Sequence, residues 1–337
     1  MKILIIGGTG FISRNIVKLL LERKHEVTIF NRGKSPDLLK QNKNLRIIHG
    51  DRKNESDLKK VIGNSAFDAV YDMVAYKPEE SENAAKIFKG KVGRFIHCST
   101  VSVYMVSADV NCPITEDQDK GKLMEYFPNN PFGMDYGINK RKCETVLWNL
   151  HDEKYFPVTC LRPTFVSGPE DPTKRDYFWI ERIKDGKSLL IPSTGESRFQ
   201  QVFVKDAAKA FCDLLEYDIT IGESYNVAGD EIFSLNKYLQ AIGELMNTSP
   251  EIVHIEQTAF DKLDISYYPC ADVFPFNTRR DAFFSLEKIK KHINYKTTPF
   301  NEWMQETVNW YLNEFDGHSA AYNKREEEIK ILKSLSN

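Results

Sequence analysis

The segment Gly7-Gly8-Thr9-Gly10-Phe11-Ile12-Ser13 follows a short apolar run and opens a helical stretch, and no other segment constrains the fold as strongly. Glycines there let the backbone turn tightly and approach a pyrophosphate, whose charge then meets free N–H groups at a helix N-terminus. Ser13, at the third glycine position, is small enough to keep the helix packed close. Such a loop needs a strand before it and a helix after it, and the chain continues the pattern. Strand-like runs at residues 2–6, 26–31, 45–49, 69–73 and 94–98 alternate with helix-like stretches such as 11–23 and 80–89. That alternation is the mark of βαβ units and a parallel sheet. A long helix is expected at 135–151 and a sixth strand at 157–162.

The expected fold class is therefore α/β, a Rossmann-type doubly wound parallel sheet with a smaller C-terminal substrate-binding lobe. Past residue 168 the alternation fails, leaving a Pro- and charge-rich stretch, a short run at 189–192, a strand-like 201–204 and a helix-like 205–216. The expected division is 1–168 as the dinucleotide-binding domain with 200–228 returning to it, 169–199 and 229–315 as the substrate lobe, and 316–337 as a charged C-terminal helix. Helical stretches are read at 302–314 and 323–333, the latter as a surface helix, with a partner site as the alternative.

The residues that end the second strand normally read the ribose, an acidic side chain favouring NAD and a basic one the 2′-phosphate of NADP. Asn31 and Arg32 stand there, with Arg14 near the loop, so NADP is slightly favoured over NAD. An Arg32 merely solvated in a turn is the alternative. Asp51, just after the third strand, is placed either to meet the adenine or to cap the next segment.

Tyr136 and Lys140 lie at i and i+4, on one helix face. An ammonium near a phenol, together with an oxidised nicotinamide, favours the phenolate, so such a tyrosine can exchange a proton near neutral pH. Alone, this spacing is a weak pattern. It gains weight from residues 95–104, a buried strand ending in the hydroxyls Ser99, Thr100 and Ser102, of which Thr100 is the candidate to hold a substrate oxygen. Those hydroxyls could instead only satisfy backbone groups where the strand ends.

Together these residues resemble the extended short-chain dehydrogenase/reductase family, also called the NAD-dependent epimerase/dehydratase family, over residues 1 to about 313. The segment 161–169 (LRPTFVSGP) is similar to the family's LRPxxVYGP, with Ser167 in place of Tyr, and 204–208 and 225–229 match its VxDxA and YNVxG segments. The resemblance implies an enzyme, an NAD(P)-dependent epimerase or oxidoreductase, with Tyr136, Lys140 and Thr100 catalytic. It implies cofactor contacts at Gly7, Thr9, Gly10, Phe11 and Ile12; at Asn31, Arg32 and Asp51; at Met73, Val74, Ala75 and Lys77; at Ser99, Tyr136, Lys140, Pro163 and Phe165. Substrate contacts are expected at Thr100, Ser102 and Arg198.

Departures narrow the chemistry. Val101-Ser102 stands where sugar 4,6-dehydratases carry Asp-Glu, which disfavours dehydration. Pro163-Thr164 replaces the Phe-Asn pair of UDP-sugar epimerases, and Phe199 takes the place of their diphosphate-gripping Arg, with Arg198 one residue earlier. The expected function is epimerisation or ketone reduction of a nucleotide-sugar or sugar-like substrate by hydride transfer. The opening and the 200–206 segment look closer to an atypical branch that includes the chloroplast stem-loop-binding proteins. The alternative is accordingly a cofactor-binding RNA-binding module or a redox-sensing regulator on the same fold.

A formal net charge of −2 from 46 basic and 48 acidic residues leaves no polycationic surface for nucleic acid or anionic membrane. The seven histidines are scattered without metal-ligand spacing, so no metal is expected. The six cysteines show no CxxC and read as reduced thiols. Residues 1–6 are far too short for a signal or membrane segment, so a cytoplasmic location is expected by default. A homodimer is open to such a chain. Tyr267, Tyr268, Phe274 and Phe276 form an aromatic cluster that packs within the second lobe or lines its pocket.

Overall fold

The structure, a computed structural model, describes residues 1–34, 42–63, 66–125, 134–152, 156–260 and 280–335. The aromatic cluster at Tyr267, Tyr268, Phe274 and Phe276, and Cys270, lie outside the described residues.

The strands are β1 (Lys2–Ile6), β2 (Glu26–Asn31), β3 (Leu45–His49), β4 (Ala69–Asp72), β5 (Phe95–Cys98), β6 (Val158–Pro163), β7 (Phe165–Ser167), β8 (Leu189–Pro192), β9 (Arg198–Phe199), β10 (Gln201–Phe203), β11 (Glu223–Val227), β12 (Phe233–Ser234) and β13 (Ile252–Ile255). Seven of them form a sheet in the order β11-β6-β5-β4-β1-β2-β3, every pair parallel. The order reverses between β1 and β4, so the crevice at their carboxyl ends is where such sheets bind ligands.

The helices are α1 (Phe11–Glu22), α2 (Glu55–Ile62), α3 (Pro78–Phe88), α4 (Ser102–Met105), α5 (Met134–Asp152), α6 (Arg175–Lys184), α7 (Val204–Asp213), α8 (Leu235–Leu245), α9 (Gln257–Phe260), α10 (Glu287–Ile293), α11 (Phe300–Glu314) and α12 (Arg325–Leu335). Strand side chains alternate between two apolar layers, which makes the sheet doubly wound. Ile3, Ile5, Val27 and Ile29 pack with Ile16, Val17 and Leu20 of α1 and Phe211 of α7. Leu4, Ile6 and Phe30 face the other way, onto Leu58 of α2, Phe88 of α3 and Leu147 of α5. A further apolar cluster joins α6, α8 and α11 through Trp179, Tyr238, Phe300 and Trp303.

The expected strands are present within a residue or so. The helix α2 was not anticipated, because its eight residues carry only three buried apolar side chains. It is held by its cap, Asn54, whose side chain accepts from Ser56 N at 3.0 Å. The expected surface helix at the C-terminus starts later, at Arg325, and is not only a surface helix. Arg325 and Glu328 are buried in ion pairs with Asp185 and Arg182, which tie α12 to α6. No described helix is long and apolar enough to cross a membrane. The five described cysteines are free thiols, and burial pushes Cys98 up to about 11.

Candidate active site

Of the expected cofactor residues, Gly7, Asn31, Met73, Ser99 and Pro163 lie at or just past the carboxyl ends of the parallel strands β1, β2, β4, β5 and β6, while Tyr136 and Lys140 lie on α5. Gly7 has φ +88°, and a Cβ on it would lie 2.5 Å from Val74, so only glycine lets β1 and β4 close over each other here. A Cβ on Gly10 would meet only Ser13 Oγ, which leaves the loop's face open. The Ser13 hydroxyl accepts from Gly10 N at 3.0 Å and donates to Gly7 O at 2.7 Å, so it locks the turn as well as being small. The first turn of α1, with Phe11 and Ile12, carries no acidic residue, and its free amides fit a pyrophosphate. Thr9 lies in this turn, half-buried.

At the end of β2, Asn31 Oδ1 accepts from Gly33 N at 2.8 Å and lies 3.0 Å from His49 Nδ1. Arg32 is exposed and pairs with no described carboxylate. Arg14, by contrast, is bound to Glu170 at 2.6 Å, which removes it from the group that would read a 2′-phosphate. Asp51 does not cap α2. Its Oδ1 accepts from Lys53 N at 2.9 Å, and Asn54 is the cap.

After β4, Met73 and Ala75 are buried, Val74 covers Gly7, and the exposed Lys77 precedes α3. Glu80 Oε2 accepts from Tyr76 N at 2.7 Å and from Lys77 N, fixing this loop. Tyr76, which the sequence did not single out, is 51% exposed, and its ring centroid lies 6.2 Å from that of Tyr136. Aromatics after a strand carry no periodic signal, so nothing in the sequence marked it.

Tyr136 is 40% exposed on α5, and the Thr100 hydroxyl lies close enough to its phenol to favour the charged form. Thr100 Oγ1 donates to Ser102 Oγ at 3.2 Å and accepts from Ser102 N, so the hydroxyls serve the chain turn and face Tyr136 at once. Burial, ahead of Cys98 and Tyr76, pushes the phenol well above its usual range, against Thr100 and Arg175. The expected activation by Lys140 differs from what is found. Lys140 is 1% exposed, and its ammonium donates to Ala75 O at 2.9 Å and to Cys98 O, so backbone carbonyls hold it rather than the phenol. Its third N–H and the ring of Tyr76, 5.6 Å from Nζ, complete its surroundings.

Beneath this pair runs a buried polar network. Arg162, fully buried, donates to both Glu144 oxygens, to Tyr104 Oη at 2.6 Å and to Asp119 Oδ2 at 2.6 Å. Tyr104 Oη in turn donates to Asn226 Oδ1 at 2.8 Å. Burial works to raise the Glu144 carboxyl, but Arg162 brings it below the usual range. Glu144 follows Lys140 by four residues, so the same helix face that offers the ammonium is anchored to β6. Ser99 is buried with its hydroxyl beside Glu144. Asp72 and His97 are register partners, fully buried, with Arg52 donating to Asp72 Oδ1 at 2.6 Å.

Pro163 ends β6, buried, and its carbonyl accepts from Val101 N at 3.1 Å; Phe165 begins β7, with the Arg175 guanidinium 5.3 Å from its ring centroid. Ser167, in place of the family Tyr, accepts from Gln201 Nε2 at 2.7 Å. Arg198 is not available as expected. Its Nε donates to Asp281 Oδ2 at 2.9 Å and its N to Oδ1 at 2.8 Å, in an exposed pair.

The model of the NAD dependent epimerase/dehydratase family matches residues 3–228. The chain is 30% identical over 308 residues to the chloroplast stem-loop binding protein of 41 kDa b of Arabidopsis thaliana, covering 88% of this chain and 75% of that one. Its fold is similar to dTDP-glucose 4,6-dehydratase of Bacillus anthracis in complex with NAD, at 20% identity and TM-score 0.73 over 93% of this chain and 97% of that one. It is likewise similar to UDP-glucuronic acid 4-epimerase of Bacillus cereus in complex with NAD, at 19% identity and TM-score 0.72, covering 94% and 99%. With the phosphate loop, the Tyr136–Thr100 pair and the Lys140 anchor in place, the chain belongs to the NAD-dependent epimerase/dehydratase family.

Proposed function

We propose that the chain is an NAD(P)-dependent epimerase or ketone reductase acting on a nucleotide-sugar or sugar-like substrate by hydride transfer. The observation that carries this reading is the Tyr136 phenol standing beside the Thr100 hydroxyl, close enough for that hydroxyl to draw the phenol's pKa down, on the helix that also carries the buried Lys140. Bound along the glycine loop and Phe165, a nicotinamide would accept or return the hydride. Thr100 holds the substrate hydroxyl, and Tyr136 takes its proton as the carbon is oxidised. Lys140, with two donors committed to Ala75 and Cys98, keeps one for a ribose hydroxyl or the phenol. Returning the hydride to the other face inverts the carbon; reduction of a supplied ketone ends at the alcohol.

The substrate lobe is proposed as residues 169–199 and 229–315. Arg32, exposed beside Asn31 and paired with no carboxylate among the described residues, supports a slight preference for NADP, and NADPH binding tighter than NADH, reversed by Arg32→Ala, is the outcome expected. The relative named for stem-loop binding leaves this reading in place, because Tyr136, Lys140 and Thr100 are all present and the formal net charge is −2. Turnover of a panel of UDP- and dTDP-sugars with either coenzyme tests it. Tyr136→Phe is expected to cut turnover at least about a hundredfold while coenzyme affinity stays within about twofold. Unchanged turnover in that variant would sink the assignment.

A further inference from the structure

Two arginines are candidates to meet charge on a substrate, and they differ in what they have left to offer. Arg198 is consumed by Asp281 through its side chain and its backbone amide. Arg175, the first residue of α6, is half-buried and among the described residues makes one side-chain hydrogen bond, from Nη1 to the neutral Thr173 hydroxyl at 2.9 Å. A guanidinium has five N–H donors, so four remain. Its plane lies over the face of Phe165, 5.3 Å from the centroid, which is the segment running along the expected nicotinamide position. It is also close enough to Tyr136 for its charge to act on the phenol.

The nearby carboxylates do not account for this cation. Asp171 is held by the backbone amide and hydroxyl of Thr173, at 2.9 Å and 2.8 Å to Oδ1. Asp176 is held by Gln201 Nε2 at 2.7 Å and the Tyr238 hydroxyl at 2.5 Å. Glu170 is taken by Arg14. Arg175 therefore keeps a rigid, planar, partly desolvated donor edge beside the acid/base tyrosine, the kind of group that recognises carboxylates and phosphates by paired hydrogen bonds.

We propose that Arg175 is the substrate's anion receptor, binding a carboxylate or phosphate carried close to the carbon that exchanges hydride. This rests on the hydride-transfer reading of the Tyr136 site and narrows its substrate class to acidic sugars or sugar phosphates. It also gives the chain a substitute for the arginine absent at Phe199.

The test uses the full chain loaded with NADH, as wild type, Arg175→Gln and Arg175→Lys. Each is titrated with malonate and with inorganic phosphate at constant ionic strength, followed by the fluorescence of bound NADH. Saturable binding of at least one anion to wild type is expected, weakened about tenfold or more in Arg175→Gln and less in Arg175→Lys, with NADH affinity within about twofold throughout. Tighter binding of malonate identifies a carboxylate and tighter binding of phosphate a phosphate. Equal affinities in wild type and Arg175→Gln, or no saturable binding of either anion to wild type, would overturn the proposal. Failure of NADH to bind folded protein would instead strike the hydride-transfer reading, and calorimetric titration of both anions without NADH still reads Arg175. Circular dichroism of each variant separates lost binding from lost folding.

Discussion

The buried charges beneath Lys140 and those at the N-terminal end of α6 are built on opposite plans. Under Lys140, cation meets anion: Arg162 bridges Glu144 and Asp119, and Arg52 binds Asp72. At the N-terminal end of α6, the buried Asp171 and Asp176 are held by hydroxyls, a backbone N–H and a side-chain amide, with no cation among the described residues within ion-pair distance. The consequence shows in protonation. Burial works to raise Glu144 and Asp171 alike, yet Arg162 draws Glu144 below its usual range while Asp171 is raised to about 6. A compensated network holds one geometry over a wide pH range, which suits the floor of a catalytic pair. An uncompensated one leaves a neighbouring cation, Arg175, with donors to spare.

Breaking the first plan should cost most. Arg162→Met strands Glu144 at 2% exposure without its cation, and urea unfolding should show a loss of about 3–5 kcal/mol. Adding Glu144→Leu should recover much of it, and a double variant as unstable as the single one would refute charge compensation as the cause.

Asp171 gives a smaller effect with a definite sign. Its folded pKa of about 6 lies above its ordinary 3.8, so the folded state holds the extra proton between those values. Stability therefore rises as pH falls through about 6 and levels off below about 3.8. Asp171→Asn removes the cost of ionisation, and its advantage over wild type should grow with pH toward about 3 kcal/mol at most by pH 8. A pH-independent difference in unfolding midpoints would contradict this.

His97 has the reverse slope. Fully buried, with neither ring nitrogen bonded, it is driven well below its ordinary 6.5 by burial and then by Lys140, Arg52 and Arg162. The unfolded chain takes the proton first, so stability falls as pH drops below about 6.5, by about 2 kcal/mol at pH 5. His97→Leu should flatten that part of the profile. Smallest of all is Arg198→Ala, an exposed pair, which should leave both the unfolding midpoint and anion binding unchanged and so set Arg175 apart.

Much of the frame was legible because it is local. Apolar runs at 2–6 and 26–31 announced strands, Gly7 and Gly10 the loop, and the spacing of Tyr136 and Lys140 their shared face. What was not legible depends on partners far along the chain. Lys140 bonds the carbonyl of Ala75, 65 residues away, and that contact with the one to Cys98 leaves a single ammonium N–H free for the phenol or a ribose hydroxyl. Arg198 lost its expected role to Asp281, 83 residues on. The C-terminal helix was read as surface because Glu328 and Arg325 are charged, yet Glu328 meets Arg182 across 146 residues. Glu144 was within reach of sequence reasoning, four residues past Lys140; Tyr76 and Arg175 carry no pattern at all.

In the proposed complex a nicotinamide dinucleotide lies along Gly7–Gly10 with its reactive end at Tyr136. Titrating NADH and NADPH into wild type and Gly7→Ala, read by energy transfer from protein tryptophan, tests it most directly. At Gly7 the backbone has φ +88° and a Cβ would sit 2.5 Å from Val74, so the variant should lose binding at least about tenfold while keeping its fold. Saturable binding to wild type that Gly7→Ala abolishes is the predicted result; folded wild type that binds neither coenzyme, or binds no better than Gly7→Ala, would contradict it.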